Sequence, residues 1–238
     1  MDILGQFSNF LFGLECLGCG RASENRDPWL CPECRLELER ESRASSFPNE
    51  DCMCLYPMKP LTRRLVHALK YRGITGMASY LVGKSSVVGD GVVAQNLSLH
   101  ARPFFFVPVP LHGSRLRERG YNQAERIASG LASVTGGRVV RWLTRNSFRE
   151  SQTKLSREER EWNVAGAFSA RLPKEMPARG TVFIVDDVYT TGATTGACRF
   201  AFGKAFPLDV KVMTLLYEES ATGATDYACD RRMDWEYG

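Results

Sequence analysis

Val182-Phe183-Ile184-Val185-Asp186-Asp187-Val188-Tyr189-Thr190-Thr191-Gly192-Ala193-Thr194 is the stretch on which the fold turns. Four consecutive apolar residues with no polar alternation predict a strand buried on both faces, as in a parallel sheet covered by helices. The strand delivers two adjacent acids to its carboxyl end, the edge where open α/β sheets bind ligands. A small, hydroxyl-rich turn follows, with Thr190, Thr191 and Thr194 around Gly192, and helical spacing then runs from about Thr195 to Phe206. Backbone N–H groups, hydroxyls and the positive end of a helix together suit a phosphate.

Two carboxylates repel a phosphate set directly between them, so their partners are neutral hydroxyls or a divalent cation that bridges to other phosphates. A sugar phosphate satisfies both halves of the loop. An ordinary strand, turn and helix would use one Asp as a cap and leave the adjacent one idle. The pattern resembles the phosphoribosyl pyrophosphate (PRPP) signature of type I phosphoribosyltransferases. That resemblance implies that Asp186 and Asp187 hold the ribose 2- and 3-hydroxyls, that Thr190, Thr191, Gly192, Ala193 and Thr194 wrap the 5-phosphate, and that Mg²⁺ accompanies PRPP.

Working outward, 238 residues accommodate one α/β domain and a small accessory module, and 44% apolar content is ordinary for a packed globule. The formal charge of +4 is unevenly spread. Leu55 to Gly89 holds six Lys or Arg and no acid, and His112 to Arg160 holds eleven against five acids, which favours a phosphate-rich ligand, small or polymeric. Met1 to Leu14 is apolar and aromatic but lacks a basic leader region and a cleavage pattern, and the longest apolar runs are too short to span a bilayer. The expectation is a cytoplasmic protein without a membrane span, in which the sequon Asn96-Leu97-Ser98 carries no weight.

Near the N-terminus, Cys16-Leu17-Gly18-Cys19 and Cys31-Pro32-Glu33-Cys34 form two C-x-x-C knuckles eleven residues apart. In a reducing compartment such thiolates favour Zn²⁺ over disulfides, and four sulfurs leave no open position for water, so the expected metal is structural. Cys52-Met53-Cys54 would either substitute for one knuckle or stay free, and Cys198 and Cys229 read as isolated thiols. Arg35 to Asp51 is charged and Ser-rich and reads as a linker. These features divide the chain into a module with its linker, 1–54, and a main domain, 55–238.

In the middle of the chain, Thr62 to Leu69 has helical spacing and ends in Lys70-Tyr71-Arg72-Gly73, which leaves two cations beside a glycine stop. Ala78 to Ser85 matches a loosened phosphate-loop motif. It is rejected because Met77 to Val82 reads as a helix interior, with bulky residues where a phosphate cradle needs small ones. Phe104 to Val107 predicts a buried strand, broken by Pro108 and Pro110. A basic segment then leads to a helix from about Ala124 to Ser133. That arrangement predicts a second anion site on the same edge, with Arg115 and Arg119 suited to bidentate contact with pyrophosphate.

Val107-Pro108-Val109-Pro110-Leu111, Arg115, Arg119-Gly120-Tyr121-Asn122-Gln123, Gln152, Leu155, Arg160, Asn163-Val164, Ala167-Phe168, the Lys70–Gly73 turn and the cysteine knuckles together resemble the ComF family, competence-associated proteins of phosphoribosyltransferase type. The resemblance implies a parallel sheet flanked by helices with an N-terminal Cys₄ zinc knuckle. It also implies a pyrophosphate loop built from Pro110, Leu111, Arg115, Arg119, Asn122 and Gln123. The family often carries a further C-x-x-C, for which this chain has only Cys52 and Cys54. Arg149 to Trp162 is either a flap over PRPP or a surface helix.

Two functions follow as expectations. In the first, Arg115, Arg119, Asp186 and Asp187 position PRPP and neutralise charge while a nucleophile attacks ribose C1. An acceptor hood would come from the Lys70 region and the cysteine module. In the second, PRPP is only a ligand or sensor, and the knuckles and basic surface bind single-stranded DNA alongside competence or recombination proteins. Tyr71, Tyr121, Trp142, Phe148 and Trp162 would either serve as stacking platforms or belong to the core, as aromatics at helix and strand edges usually do, and the acidic tail, Glu218 to Glu236, would cover the basic groove.

Overall fold

A computed structural model describes residues 14–23, 27–44, 51–89, 103–146, 166–203 and 205–218. The expected flap at 149–162, the tail beyond 218, Phe148, Cys229 and the sequon all lie outside these residues.

The centre is a five-stranded sheet made of β3 (Cys52–Pro57), β4 (Phe104–Pro108), β5 (Arg138–Val139), β8 (Thr181–Tyr189) and β9 (Asp209–Tyr217). Its order is β3-β9-β8-β4-β5 and every pairing is parallel, with Ile184 opposite Val107 on one side and Val212 on the other. The apolar run predicted this. Val182 to Val185 are fully buried, and their side chains alternate between two cores on opposite faces. Each such side chain contributes on the order of 2 kcal/mol, so a central strand without a polar face is strongly specified.

One face is covered by α2 (Pro60–Tyr71), α3 (Gly76–Lys84) and α6 (Gln123–Thr135), whose Leu65, Leu69, Leu81, Ile127 and Leu131 meet Phe106, Phe183 and Val185. The other is covered by α7 (Ala193–Phe202) and by the antiparallel pair β6 (Leu143–Arg145) and β7 (Phe168–Ala170). The rejected phosphate-loop match lies in the body of α3 up to its C-cap, Ser85, with Met77, Ala78, Leu81 and Val82 buried. Of the aromatics read as either stacking platform or core, Trp142 is core, its ring centre 5.1 Å from that of Phe105.

The N-terminal module consists of the β1 (Leu14–Glu15) and β2 (Ala22–Ser23) hairpin and α1 (Pro32–Arg43). Much of the stretch expected as a linker is therefore helix. Pro32 starts it, and Cys34, Leu38 and Ser42, four residues apart, form a buried stripe on an otherwise charged helix. A short helix, α4 (Ser86–Gly89), is tied to α1 by the 2.8 Å hydrogen bond from the Ser86 N–H to Ser42 Oγ. Leu30, Cys34 and Leu38 belong to the same core as Leu61 and Leu65, and β3, at one edge of the sheet, begins at Cys52.

Candidate functional site

Strand β8 runs past the apolar stretch and carries both acids at the carboxyl edge, half-buried. Burial pushes the Asp186 carboxyl up to about 7, and the charge of Asp187 adds to the rise. The Asp187 N–H, 2.9 Å from Asp186 Oδ1, opposes it, as do Lys70 and Arg145. Asp187 meets Lys70 of α2: Nζ and Oδ1 are 2.9 Å apart, with the two side chains only 22% and 15% exposed.

Beyond the acids the chain turns through Thr190 and Thr191, both exposed, into Gly192 at the N-cap of α7. Gly192 is buried and has φ 76°, a conformation that L-residues with a Cβ adopt at a cost. That turn leaves Ala193 and Thr194 exposed in the first turn of a ten-residue helix, where N–H groups lack intrahelical partners. The Thr191 hydroxyl accepts from the Ala193 N–H at 3.4 Å, and Thr195 turns inward to donate to the Gly192 carbonyl at 3.0 Å.

The segment after β4 supplies the neighbouring lip. Between Leu111 and Asn122 the expected basic loop contains a helix, α5 (Gly113–Arg119), with no buried residue. Arg115 and Arg117 are exposed on it. Asn122 anchors the next helix: its Oδ1 caps α6 by accepting from the Ala124 N–H at 3.0 Å, and its Nδ2 donates to the Val109 carbonyl at 2.9 Å. Arg119 turns inward, donating to Gln123 Oε1 at 3.1 Å and to the Tyr71 hydroxyl at 3.2 Å, with its guanidinium 4.8 Å from the centre of the Tyr71 ring. Tyr121 donates to the Leu69 carbonyl. The Lys70–Gly73 turn thus touches both lips, reaching Asp187 through Lys70 and Arg119 through Tyr71. The sequence displayed two cations beside a glycine stop, but only the chain path shows that Lys70 meets a residue more than a hundred positions away and Tyr71 one 48 positions away.

The cysteine module forms a separate centre. The Sγ atoms of Cys16, Cys19, Cys31 and Cys34 lie within 4.8 Å of one another and could hold a metal ion such as zinc. A tetrahedral zinc thiolate set needs sulfurs roughly 3.8 Å apart for Zn–S bonds of about 2.3 Å, so small adjustments suffice. The surroundings suit thiolates: the Cys31 N–H points at Cys16 Sγ from 3.2 Å, and Arg21 Nε at Cys19 Sγ from 3.4 Å. That hydrogen bond is the main reason the Cys19 thiol is pulled down to about 6, whereas burial pushes Cys34 up. Gly18 lets the first knuckle dock on α2, because a Cβ there would meet Cys34 Sγ at 2.7 Å and Leu61 Cδ1 at 2.8 Å. Cys52 and Cys54 belong elsewhere. They are buried side by side on β3, with Thr214 donating to Cys54 Sγ at 3.2 Å, and Cys198 lies in the same core.

No family model matches the chain. The chain is 31% identical over 190 residues to DNA utilization protein YhgH of Salmonella typhimurium, covering 75% of this chain and 79% of that one. It is 30% identical over 194 residues to competence protein ComFC of Bacillus subtilis, covering 80% and 73%, respectively. A shorter match, 37% over 102 residues, joins it to competence protein F of Haemophilus influenzae, over 39% of this chain and 41% of that one. Among the described residues no helix is long and apolar enough to cross a membrane. With the likenesses to YhgH and to the Bacillus ComFC extending over most of both chains, the protein belongs to the family of competence protein ComFC and DNA utilization protein YhgH.

Proposed function

We propose that the carboxyl edge of β8 binds PRPP with Mg²⁺, on a phosphoribosyltransferase-type fold, and that the protein acts in the uptake or use of DNA. The observation that carries this is the pairing of two half-buried acids with a helix N-terminus entered through a left-handed glycine on one continuous segment. Asp186 and Asp187 accept the ribose 2- and 3-hydroxyls, and the turn from Thr190 to Thr194 receives the 5-phosphate through N–H groups and hydroxyls. Arg115, exposed on α5, and Arg119, beside Gln123, face the pyrophosphate, with Pro110, Leu111 and Asn122 shaping the loop. Mg²⁺ carried in with the ligand would supply charge neutralisation for the pyrophosphate.

Phosphoribosyl transfer to an acceptor would break the C1–O bond to pyrophosphate. A hood made by the Lys70 turn and the cysteine module would select the acceptor. Incubating the protein with Mg²⁺, PRPP and candidate acceptors and measuring pyrophosphate tests this step: release above the acceptor-free rate supports transfer. Binding without release leaves PRPP as a ligand or sensor.

We propose as a second reading, prompted by a relative named for DNA utilization, that the protein binds single-stranded DNA. The exposed cations Arg115, Arg117, Arg141 and Arg145 and the 58% exposed Tyr71 are its candidate contacts. Such binding would weaken steeply with salt and on neutralising Arg141 or Arg145. Affinity indifferent to both would remove that reading.

A further inference from the structure

Lys70 occupies the last turn of α2, where a cation is favoured by the helix dipole whatever its further role. Its surroundings confine it more than capping requires. Leu65, Val66 and Leu69 fix the helix face in the core, Tyr121 holds the Leu69 carbonyl, and the ring of Tyr71 is pinned beneath Arg119. The ammonium is thereby delivered to Asp187 Oδ1 at 2.9 Å, in a pair far less exposed than an ordinary surface ion pair. The recipient is one of two adjacent acids, whose mutual repulsion makes their shared ionisation costly.

We propose that Lys70 is a positioning residue of this site: it holds the Asp187 carboxylate in one orientation and offsets the repulsion between the acids, so that both accept hydroxyls of a phosphorylated pentose. The assignment rests on the reading of this edge as the PRPP site.

The charge balance gives the expected pH behaviour. Asp186 faces Asp187 on its own strand, Lys70 from α2, Arg145 from β6 and Cys198 from α7. With Asp186 titrating at about 7, ligand affinity rises as pH increases through that value and is lost below it. Removing the ammonium moves the midpoint upward, and a displacement of one pH unit is about a fivefold loss at pH 7, rising towards tenfold at pH 6.

The test compares wild type, Lys70→Met and Lys70→Arg by calorimetric titration with PRPP and Mg²⁺ from pH 6 to 9. Beside it, NMR follows the carboxyl titration of ¹³C-labelled aspartate, assigned with Asp186→Asn. The expected result is weaker binding by Lys70→Met at pH 7 with a higher midpoint and a lowered melting temperature that still shows a folded protein, and near wild-type behaviour in Lys70→Arg. Equal affinities and midpoints in wild type and Lys70→Met overturn the assignment. If wild type itself ignores PRPP at every pH, the proposed ligand fails and the NMR arm decides Lys70. An upward move of the Asp186 titration in Lys70→Met sustains the positioning role, and an unmoved titration ends it.

Discussion

The cysteine cluster and the carboxylate edge are built by opposite routes. The cluster takes its four sulfurs from two tight turns only eleven residues apart, between β1 and the first turn of α1. The edge draws Lys70 from α2, Arg119 from α5 and Asp186 and Asp187 from β8, and only the parallel order β3-β9-β8-β4-β5 makes them neighbours. A local site survives modest rearrangement of the fold, whereas a composite site fails when any supporting helix shifts. The two regions also touch: Gly18 of the first knuckle lies against Leu61 at the start of α2, the helix that carries Lys70 to the acids at its far end.

The largest effect should follow from stripping metal from the cysteine cluster. Binding free energies of structural zinc run to about 10 kcal/mol, so chelation or Cys31→Ser with Cys34→Ser should abolish zinc retention and lower the melting temperature sharply. Metal analysis and thermal unfolding read both. Unchanged stability after chelation would show that the cluster is not a folding element.

Next comes pH. The Asp186 carboxyl titrates higher folded than unfolded, so the folded state favours the protonated acid. Its stabilising effect is full below the unfolded value, near 4, and is lost as pH rises through about 7. Asp186→Asn should therefore raise stability at pH 8 by a few kcal/mol, at about 1.4 kcal/mol per unit of displacement, and gain nothing at pH 4. Urea unfolding at both pH values checks the sign. A gain of equal size at pH 4 would refute the titration account.

Smaller again is Gly18→Ala, which forces a Cβ into Cys34 Sγ and Leu61 and should cost about 1–3 kcal/mol. If α2 couples the two regions, the same variant should also weaken binding at the carboxylate edge while zinc content holds. The smallest effect should be Gly192→Ala, at about 1 kcal/mol of backbone strain in the left-handed turn. It sharpens the contrast, since it should reduce PRPP affinity and leave the metal centre untouched.

Much of this was legible in the chain. The run from Val182 to Val185 has one structural solution, and the spacing of Cys16, Cys19, Cys31 and Cys34 names its geometry directly. The helix around Thr62 to Leu69 follows from apolar spacing, and the helical reading of Met77 to Val82 from bulky residues where a phosphate cradle needs small ones. What was not legible depends on tertiary context. Helix α1 buries only a thin stripe, so its charged composition reads as linker. The Lys70–Asp187 and Tyr71–Arg119 contacts have no sequence signal at all, because nothing local says which strand a helix end will approach. Trp142 illustrates the same point: an aromatic beside a basic segment looks available for stacking until the core claims it.

The central claim is that β8 ends in a binding site for a phosphorylated pentose. Its most direct test is calorimetric titration of the zinc-loaded protein with PRPP and Mg²⁺ at pH 8, beside an Asp186→Asn, Asp187→Asn double variant shown by its melting curve to be folded. Saturable binding by wild type and none by the variant is the predicted result. Absence of binding by wild type, or equal binding by both, would contradict it.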